Sequence, residues 1–216
     1  MQRILILGAT VLLLAGAAHG APPKFSAHVT NPWFPLKPGA RYVYTGLKDG
    51  QRSRELLTVT NRTKTIANAP CVVVDDRLYE RGKLAERTTD WYTQDASGNV
   101  WYFGEQTATL DRRGRVTSTE GTWRTGVHGA QPGIFMPAHP RVGHGGRQEY
   151  YKGQAEDHFE VIGSLGTNAV LTKEWTPLEP DVIDHKLYAR GVGVVLEQTE
   201  KGGDERNELV SVTRGH

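Results

Sequence analysis

The sequence predicts an all-β protein, an antiparallel meander that forms a curved sheet, a half-barrel or a barrel. One observation is an alternation of apolar and polar residues: in "RELLTVTN", Leu57 and Val59 alternate with Thr58 and Thr60. A second is the regular recurrence of turn signals rich in glycine and aspartate. A third is that the 3.6-residue period of an amphipathic helix is almost absent.

The predicted strands are short segments rich in β-branched or aromatic residues. Turn sequences lie between several of them, namely "KDGQ", "ASGN", "RRGR" and "KGGDE". In chain order the predicted strands read "RYVYTG", "RELLTVTN", "CVVVDDRLYE", "NVWYFGE", "RVTSTEG", "DHFEVIGSL", "NAVLTKEW", "VIDHKLYA", "GVVLEQT" and "NELVSVT".

The beginning of the chain predicts export. Arg3 precedes an apolar run, Ile4–Ala18, and the small residues Ala18 and Gly20 come just before Ala21. A basic start, a short apolar core and small residues at the cleavage site are typical of a secretory signal peptide. We therefore expect residues 1–20 to be cleaved and residues 21–216 to form a single β-domain in the periplasm or outside the cell. The apolar run is shorter than the ~20 residues of a membrane span, and no later segment is apolar enough for one.

The charge and the cysteine count limit the kinds of partner and anchor that the chain could have. The formal net charge is +2 with intermixed signs, which gives no reason to expect nucleic acid. The only cysteine, Cys71, cannot form an internal disulfide and does not lie at the cleavage site, as a lipid anchor would require. We expect it to be a small buried apolar residue. The oligomeric state stays open.

One segment, residues 126–147 ("GVHGAQPGIFMPAHPRVGHGGR"), is rich in glycine and proline. This composition argues against a regular element and predicts a long ordered loop. Such loops are usually functional or cover the opening of a core. The loop carries Phe135 and Met136, which could close over a groove.

The stretch "DWYTQDASGNVWYFGE" raises the choice between a metal loop and a hairpin turn. Asp95, Ser97 and Asn99 alternate as calcium ligands do, but an EF-hand loop needs glycine at its sixth position and a carboxylate at its twelfth. Val100 and Gln106 stand there instead.

A hairpin explains the same stretch better. Asp95 at the first turn position can accept backbone N–H bonds, and Gly98 supplies a conformation that other residues resist. The flanking strands would then bring aromatic side chains into cross-strand contact. These aromatic residues are Trp91, Tyr92, Trp101 and Tyr102.

Catalytic and metal motifs are absent from the sequence, including Gly-x-Ser-x-Gly, His-Glu-x-x-His, a P-loop and Cys-x-x-Cys. We therefore assign no catalytic residue, no metal ligand and no cofactor. Two alternatives stay open. Met136, His139 and His144 could hold copper or zinc, although a flexible loop makes a poor cage. The segment Glu174–His185 gathers carboxylates that could serve acid–base chemistry or hold a cation, although a polar turn in solvent is the favoured interpretation.

Several long motifs resemble an uncharacterised family of exported bacterial all-β proteins. They are "NPWFPLKPGARYVYTG", "DWYTQDASGNVWYFGE", "GIFMPAHPRVG", "RQEYYKGQAEDHFEV", "KEWTPLEPDVIDHKLYARGVGVV" and "NELVSV", and together they span nearly all of the chain after residue 20. The strand "YARGVGVV" after "TKEW" also resembles the closing strands of half-barrels of the lipoprotein-carrier type. That resemblance implies a curved sheet around an apolar groove that can hold acyl chains.

These observations favour an exported soluble binding protein that presents an apolar groove to a small hydrophobic ligand or lipid. An enzyme or metal-binding protein that uses the Glu174–His185 carboxylates, and an interaction module of the envelope, are the alternatives. The aromatic residues could equally do no more than fill the core. The candidate ligand-binding residues are Trp101, Phe103, Trp123, Phe135 and Met136.

Overall fold

The computed structural model describes residues 24–48 and 50–215. Every regular element among them is a β-strand, and no helix among these residues is long and apolar enough to cross a membrane. The predicted signal peptide lies outside the described residues. In chain order the strands are β1 (Phe25–Ser26), β2 (Arg41–Lys48), β3 (Gln51–Ile66), β4 (Ala69–Glu80), β5 (Lys83–Asp95), β6 (Val100–Leu110), β7 (Val116–Ser118), β8 (Trp123–Arg124), β9 (Gln131–Met136), β10 (Gly145–Arg147), β11 (Glu149–Tyr150), β12 (His158–Leu165), β13 (Ala169–Trp175), β14 (Ile183–Ala189), β15 (Gly193–Lys201) and β16 (Arg206–Thr213).

The strands form one antiparallel sheet in the order β10-β12-β13-β14-β15-β16-β2-β3-β4-β5-β6-β9-β11. Strand β1 adds to β5, while β7 and β8 add to β6. The two ends of the sheet, β10 and β11, are consecutive in the chain and pair with β12 and β9 respectively. The sheet therefore curls into a barrel that is nearly closed, with one unsealed seam. The predicted fold class is confirmed.

The β5–β6 hairpin forms as the sequence predicts. Asp95 Oδ1 accepts hydrogen bonds from the backbone N–H groups of Ser97 and Asn99, both at 2.9 Å. Its Oδ2 accepts from Asn99 Nδ2 at 2.8 Å and from Trp101 Nε1 at 2.9 Å. Gly98 has φ of 90°, the left-handed region that favours glycine. Because the turn itself satisfies the carboxylate, the hairpin interpretation is confirmed.

The glycine- and proline-rich segment is more regular than its composition predicts. Gln131–Met136 forms strand β9, which pairs with β6 and β11, and Gly145–Arg147 forms β10. Gly133 explains part of this difference. A Cβ atom at Gly133 would lie 2.2 Å from the carbonyl oxygen of Arg147, so glycine here permits close approach of two strands rather than irregularity. Residues 126–130 and 137–144 of this segment remain without a strand.

The residues before β2 close one end of the barrel. Trp33, Phe34 and Leu36 are buried in the main core cluster inside the sheet. The segment is tied to opposite sides of the barrel: the carbonyl of Pro32 accepts from the N–H of Gly191 at 2.6 Å, and Asn31 Nδ2 donates to the carbonyls of Gly98 and Pro137.

A second apolar cluster lies on the outer face of β4, β5 and β6. Strand residues alternate between the two faces, so Cys71 and Val73 belong to this outer cluster while Val72 and Val74 belong to the inner one. Cys71 is fully buried, and burial raises the pKa of its thiol to about 12. The prediction that Cys71 behaves as a buried apolar residue agrees with this position.

Candidate functional site: an acidic cavity inside the barrel

A cavity of about 250 Å³ lies inside the barrel, below the apolar end closed by Phe34. Its wall is unusual because acidic side chains dominate it. Six strands from around the barrel, together with Asp157 just before β12, supply seven carboxyl groups, which we call the carboxyl belt. Lys186 of β14 is the one basic side chain among the lining residues. The carboxyl belt consists of Glu55, Asp76, Glu105, Glu149, Asp157, Glu174 and Glu197.

Strand alternation and register place these groups side by side. Asp76 is in phase with the inward-facing Val72 and Val74 of its strand, and Glu55 is in phase with Val59. Across strands, Lys186 lies directly opposite Glu197. Side chains that are directly opposite in an antiparallel pair lie about 5 Å apart at Cβ, so the fold itself forces neighbouring charges together.

One side of the cavity is electrically compensated. Lys186 Nζ lies 2.9 Å from Glu174 Oε2 and 3.2 Å from Glu197 Oε1. Glu174 Oε1 also accepts hydrogen bonds from the hydroxyls of Thr172 and Tyr188, at 2.9 and 3.2 Å. Burial by itself lowers the pKa of Lys186, but the two carboxylates outweigh it and raise that pKa well above its usual value. Lys186 is therefore a fixed cation.

On the side formed by β3 and β4 the compensation is weaker, because Lys186 lowers the pKa of Glu55 and Arg77 lowers that of Asp76, but burial outweighs both. Burial, together with the neighbouring Asp76, raises the pKa of Glu55 well above the usual value for a glutamate. Burial also raises the pKa of Asp76, whose Oδ1 is buried without a hydrogen-bond partner. Glu55 Oε2 accepts one hydrogen bond, from Asn207 Nδ2 at 3.2 Å. Among the described residues, no lysine or arginine forms a salt bridge with either of these two adjacent carboxyl groups.

The wall next to β6 and β11 repeats this arrangement. Asp90, a buried neighbour of the carboxyl belt, lies opposite Glu105 and accepts a hydrogen bond from the Tyr102 hydroxyl at 2.7 Å. Burial raises the pKa of Asp90 to about 7 and that of Glu149 to about 8. The pKa of Glu105 is also well above its usual value, mainly because of burial and then because of Asp90. Hydrogen bonding from Trp123 lowers the pKa of Glu149, but burial outweighs it.

Aromatic rings form the remaining wall. Tyr92 and Tyr102 lie opposite each other and stack with their centroids 4.8 Å apart. Phe135 lies 4.6 Å from Phe34 and 5.2 Å from Tyr92. The cavity therefore combines carboxyl groups with the faces and edges of aromatic rings.

Of the candidate residues predicted from the sequence, Phe135 lines the cavity. Trp123 is buried behind it, with its ring 5.5 Å from that of Tyr102, and Met136 is fully buried in the main core. The residues Trp101 and Phe103 lie on the outer face of the sheet, where both contact Phe25. The structure thus places Phe135 and Met136 on the inner side of the sheet and Trp101 and Phe103 on the outer side, while Trp123 contacts the main core and also lines an outer pocket.

The carboxylates of Glu174–His185 do not converge on one site. Glu174 points into the cavity, whereas His185 faces outward, with Nδ1 3.9 Å from Glu200 Oε2. Asp181 is exposed and lies 3.4 Å from Lys201. Asp181 therefore lies in a polar turn in solvent, as the sequence favoured, whereas Glu174 does not. Within residues 24–48 and 50–215, no group of three or more His, Cys, Asp or Glu side chains could hold a metal ion.

Sequence reasoning missed most of the carboxyl belt, although a signal was present. In "CVVVDDRLYE" and "RELLTVTN", Asp76 and Glu55 stand in phase with apolar residues that face the interior. An acid at an inward position of a strand indicates a carboxyl group inside the protein, where acidic side chains are rare unless they are paired.

Comparison with known proteins adds distant structural matches. No family model and no curated protein matches the chain. A protein provisionally described as a lipoprotein of Parabacteroides distasonis ATCC 8503 is matched with a TM-score of 0.44 and 10% identity, over 85% of this chain and 99% of that chain. MucB, crystallised in complex with MucA(peri), is matched with a TM-score of 0.18 and 7% identity, over 84% of this chain and 94% of that chain. Neither likeness is close enough to carry an argument, and membership of the uncharacterised exported family stays a prediction.

Proposed function

We propose that this protein is an exported binding protein whose barrel cavity takes a small organic cation with more than one amino group. The observation that carries the proposal is the excess of acid in the cavity: seven carboxyl groups face one lysine. Burying an ionised carboxylate without a partner is costly, so such groups either take up protons or acquire a cation. A cationic ligand would supply the missing charge.

Lys186 indicates how an amino group binds in this cavity. Its ammonium lies between Glu174 and Glu197, at 2.9 and 3.2 Å. On the other walls, Glu55 with Asp76 and Glu105 with Glu149 form no salt bridge with a lysine or arginine of the described residues. We infer that ligand ammonium groups occupy these walls as the Lys186 ammonium occupies its own.

The aromatic wall favours an organic cation over a bare ion. An ammonium group is attracted to the face of an aromatic ring within about 6 Å of its centroid, and methylene groups pack well on such rings. Phe34, Tyr92, Tyr102 and Phe135 offer both kinds of contact. The cavity volume of about 250 Å³ corresponds to about eight water molecules at ~30 Å³ each, which suits a short diamine or triamine.

The polar wall also revises the kind of ligand that the sequence suggested. An acyl chain in this cavity would displace water from buried carboxyl groups and leave them without partners, which is unfavourable. We therefore keep the predicted binding role and the predicted export, supported by the signal-peptide pattern of residues 1–20, and replace the hydrophobic ligand with a cationic one.

Isothermal titration of ligand-free protein with 1,4-diaminobutane and spermidine at pH 8 tests the proposal. We expect saturable binding of both amines and weaker binding of butylamine, which carries a single charge. Binding should release protons, because a cation lowers the pKa of carboxyl groups that are partly protonated. Proton release is measured by repeating the titration in buffers of different ionisation enthalpy.

A pair of variants with the same change of charge locates the site. Glu55→Gln with Asp76→Asn should weaken diamine binding at least tenfold. Glu179→Gln with Asp181→Asn removes two carboxylates from the exposed turn instead and should leave binding unchanged. Equal weakening by both pairs would mean that the amines bind only through the overall charge of the protein, and absence of saturable binding would refute the proposal.

A further inference from the structure

A second pocket, of about 330 Å³, lies on the outer surface of the barrel. Trp91 of β5, Trp123 of β8 and Val127 of the turn that follows β8 form much of its apolar lining, together with Tyr151. Trp91 and Trp123 are only 4% and 3% exposed, so their rings form a fixed floor rather than a mobile rim.

Three basic side chains surround this floor: Lys64, Arg124 and His128. The Lys64 ammonium lies 3.7 Å from the centroid of the Trp91 ring. Its pKa is lowered by burial and further by the nearby Arg124, so the two cations repel each other at this position. Within the part of the chain that the structure describes, no carboxylate forms a salt bridge with any of the three.

One acid, Glu105, also lies in the lining of this pocket. Burial raises its pKa well above the usual value, which favours the uncharged form of this carboxyl group and weakens it as a counter-charge. Glu105 also lines the barrel cavity, which places the two sites on opposite sides of the same wall. The inner site is acidic and the outer one is basic.

The turn after β8 is held in a fixed shape. The N–H of Gly126 donates to the carbonyl of Ala130 at 2.9 Å, and the N–H of Ala130 donates to the carbonyl of Val127 at 3.0 Å. His128 adopts a φ of 51°, which is unusual for a residue other than glycine. This turn holds Val127 and His128 in the lining of the pocket.

We propose that the outer pocket binds a small organic acid with a flat apolar body. The apolar body would pack against Trp91, Trp123 and Val127, and its carboxylate would pair with Lys64 and Arg124. Two repelling cations beside an apolar floor are complementary to such an anion, since its charge relieves their repulsion and its body covers the indoles. This site is separate from the cation site inside the barrel, and Glu105 lies between the two.

Titration with 3-phenylpropionate, followed by tryptophan fluorescence and by calorimetry at low ionic strength, tests the inference. We expect saturable binding, and at least tenfold weaker binding of the uncharged 3-phenylpropionamide, which has the same body. Raising the salt concentration should weaken binding of the acid much more than that of the amide. Equal binding of acid and amide would overturn the role of the basic side chains.

Arg124→Gln is the decisive variant because it leaves the contact between Lys64 and Trp91 intact. We expect it to weaken 3-phenylpropionate binding about tenfold with an unchanged melting temperature. Arg113→Gln, on the exposed turn after β6, changes the charge equally and should have no effect. The inference fails if both variants bind equally well, or if no saturable binding occurs up to about 10 mM ligand. Diamine binding is measured in the same Arg124→Gln protein and should persist.

Discussion

Replacing Asp90 with asparagine should remove part of the pH dependence of the free energy of unfolding. Asp90 is 8% exposed and its Oδ1 accepts a hydrogen bond from the Tyr102 hydroxyl at 2.7 Å. Burial raises its pKa from 3.8 to about 7, and the charges of Asp76 and Asp75 contribute. The folded protein therefore binds a proton at Asp90 that the unfolded chain releases near pH 4.

The sign follows from this difference in proton binding. When the folded state binds more protons than the unfolded state, stability falls as pH rises. The contribution of Asp90 is fully present below about pH 4 and is lost as the pH rises through about 7. From pH 5 to about pH 7 the folded protein keeps a proton on Asp90 that the unfolded chain has already lost. Over these two pH units the free energy of unfolding falls by ~1.4 kcal/mol for each unit. The loss is thus on the order of 3 kcal/mol as an upper bound, because neighbouring acids titrate in the same range.

Urea unfolding of ligand-free protein, followed by tryptophan fluorescence at pH 5 and pH 8, measures this effect. Asp90→Asn keeps an acceptor for the Tyr102 hydroxyl, so at pH 5 its stability should lie within about 1 kcal/mol of the wild type. At pH 8 the variant should be the more stable protein, with a urea midpoint higher by roughly 1 M.

The control is Asp111→Asn, on the exposed turn after β6. Bonds from the backbone N–H and the guanidinium of Arg115 hold the pKa of Asp111 below its usual value, so this group stays ionised from pH 5 to pH 8. Its removal should leave the difference between the two pH values unchanged. The reasoning is refuted if Asp90→Asn shows the same fall in stability as the wild type, or if the wild type is as stable at pH 8 as at pH 5.

Further substitutions and a labelling experiment test other parts of the structure. Lys186→Met leaves the carboxylates of Glu174 and Glu197 without their cation. Urea unfolding should show a free energy of unfolding lower by about 3 kcal/mol at pH 8 and by less at pH 5. An equal loss of stability at both pH values would contradict the charge argument. Gly98→Val should cost about 1 kcal/mol or more because φ is 90°, and a melting temperature equal to that of the wild type would contradict this. Cys71 should resist a bulky thiol reagent in the native protein and react in urea, as mass spectrometry would show; rapid native labelling would place it at the surface. Phe135→Ser should weaken diamine binding, since this ring lines the cavity, whereas Met136→Ser should mainly lower the melting temperature.

The sequence by itself determined the fold class and several local structures. The alternation around Leu57 and the recurring turn signals depend on interactions between residues close in the chain, and each appears in the structure as a strand or a turn. The turn at Asp95 is a clear case, because the carboxylate is satisfied by groups within the next six residues. Local chemistry of this kind can be recognised without knowing which strands become neighbours.

The tertiary structure alone decided where the site lies and what charge it has. Pairing of β3 with β4 brings Glu55 near Asp76, and the strand order β6-β9-β11 brings Glu105 near Glu149, which lies more than 40 residues further along the chain. The role of Gly133 also depends on tertiary structure, because the backbone of Arg147 and Gln148 approaches it too closely for any Cβ atom. This close packing accompanies strand β9, where the sequence predicted a loop. A single acid within an alternating strand does not reveal whether its partners are cations or other acids. That depends on strand order and register around the barrel, and here they collect acids on one inner surface with Lys186 as the one basic side chain in the lining.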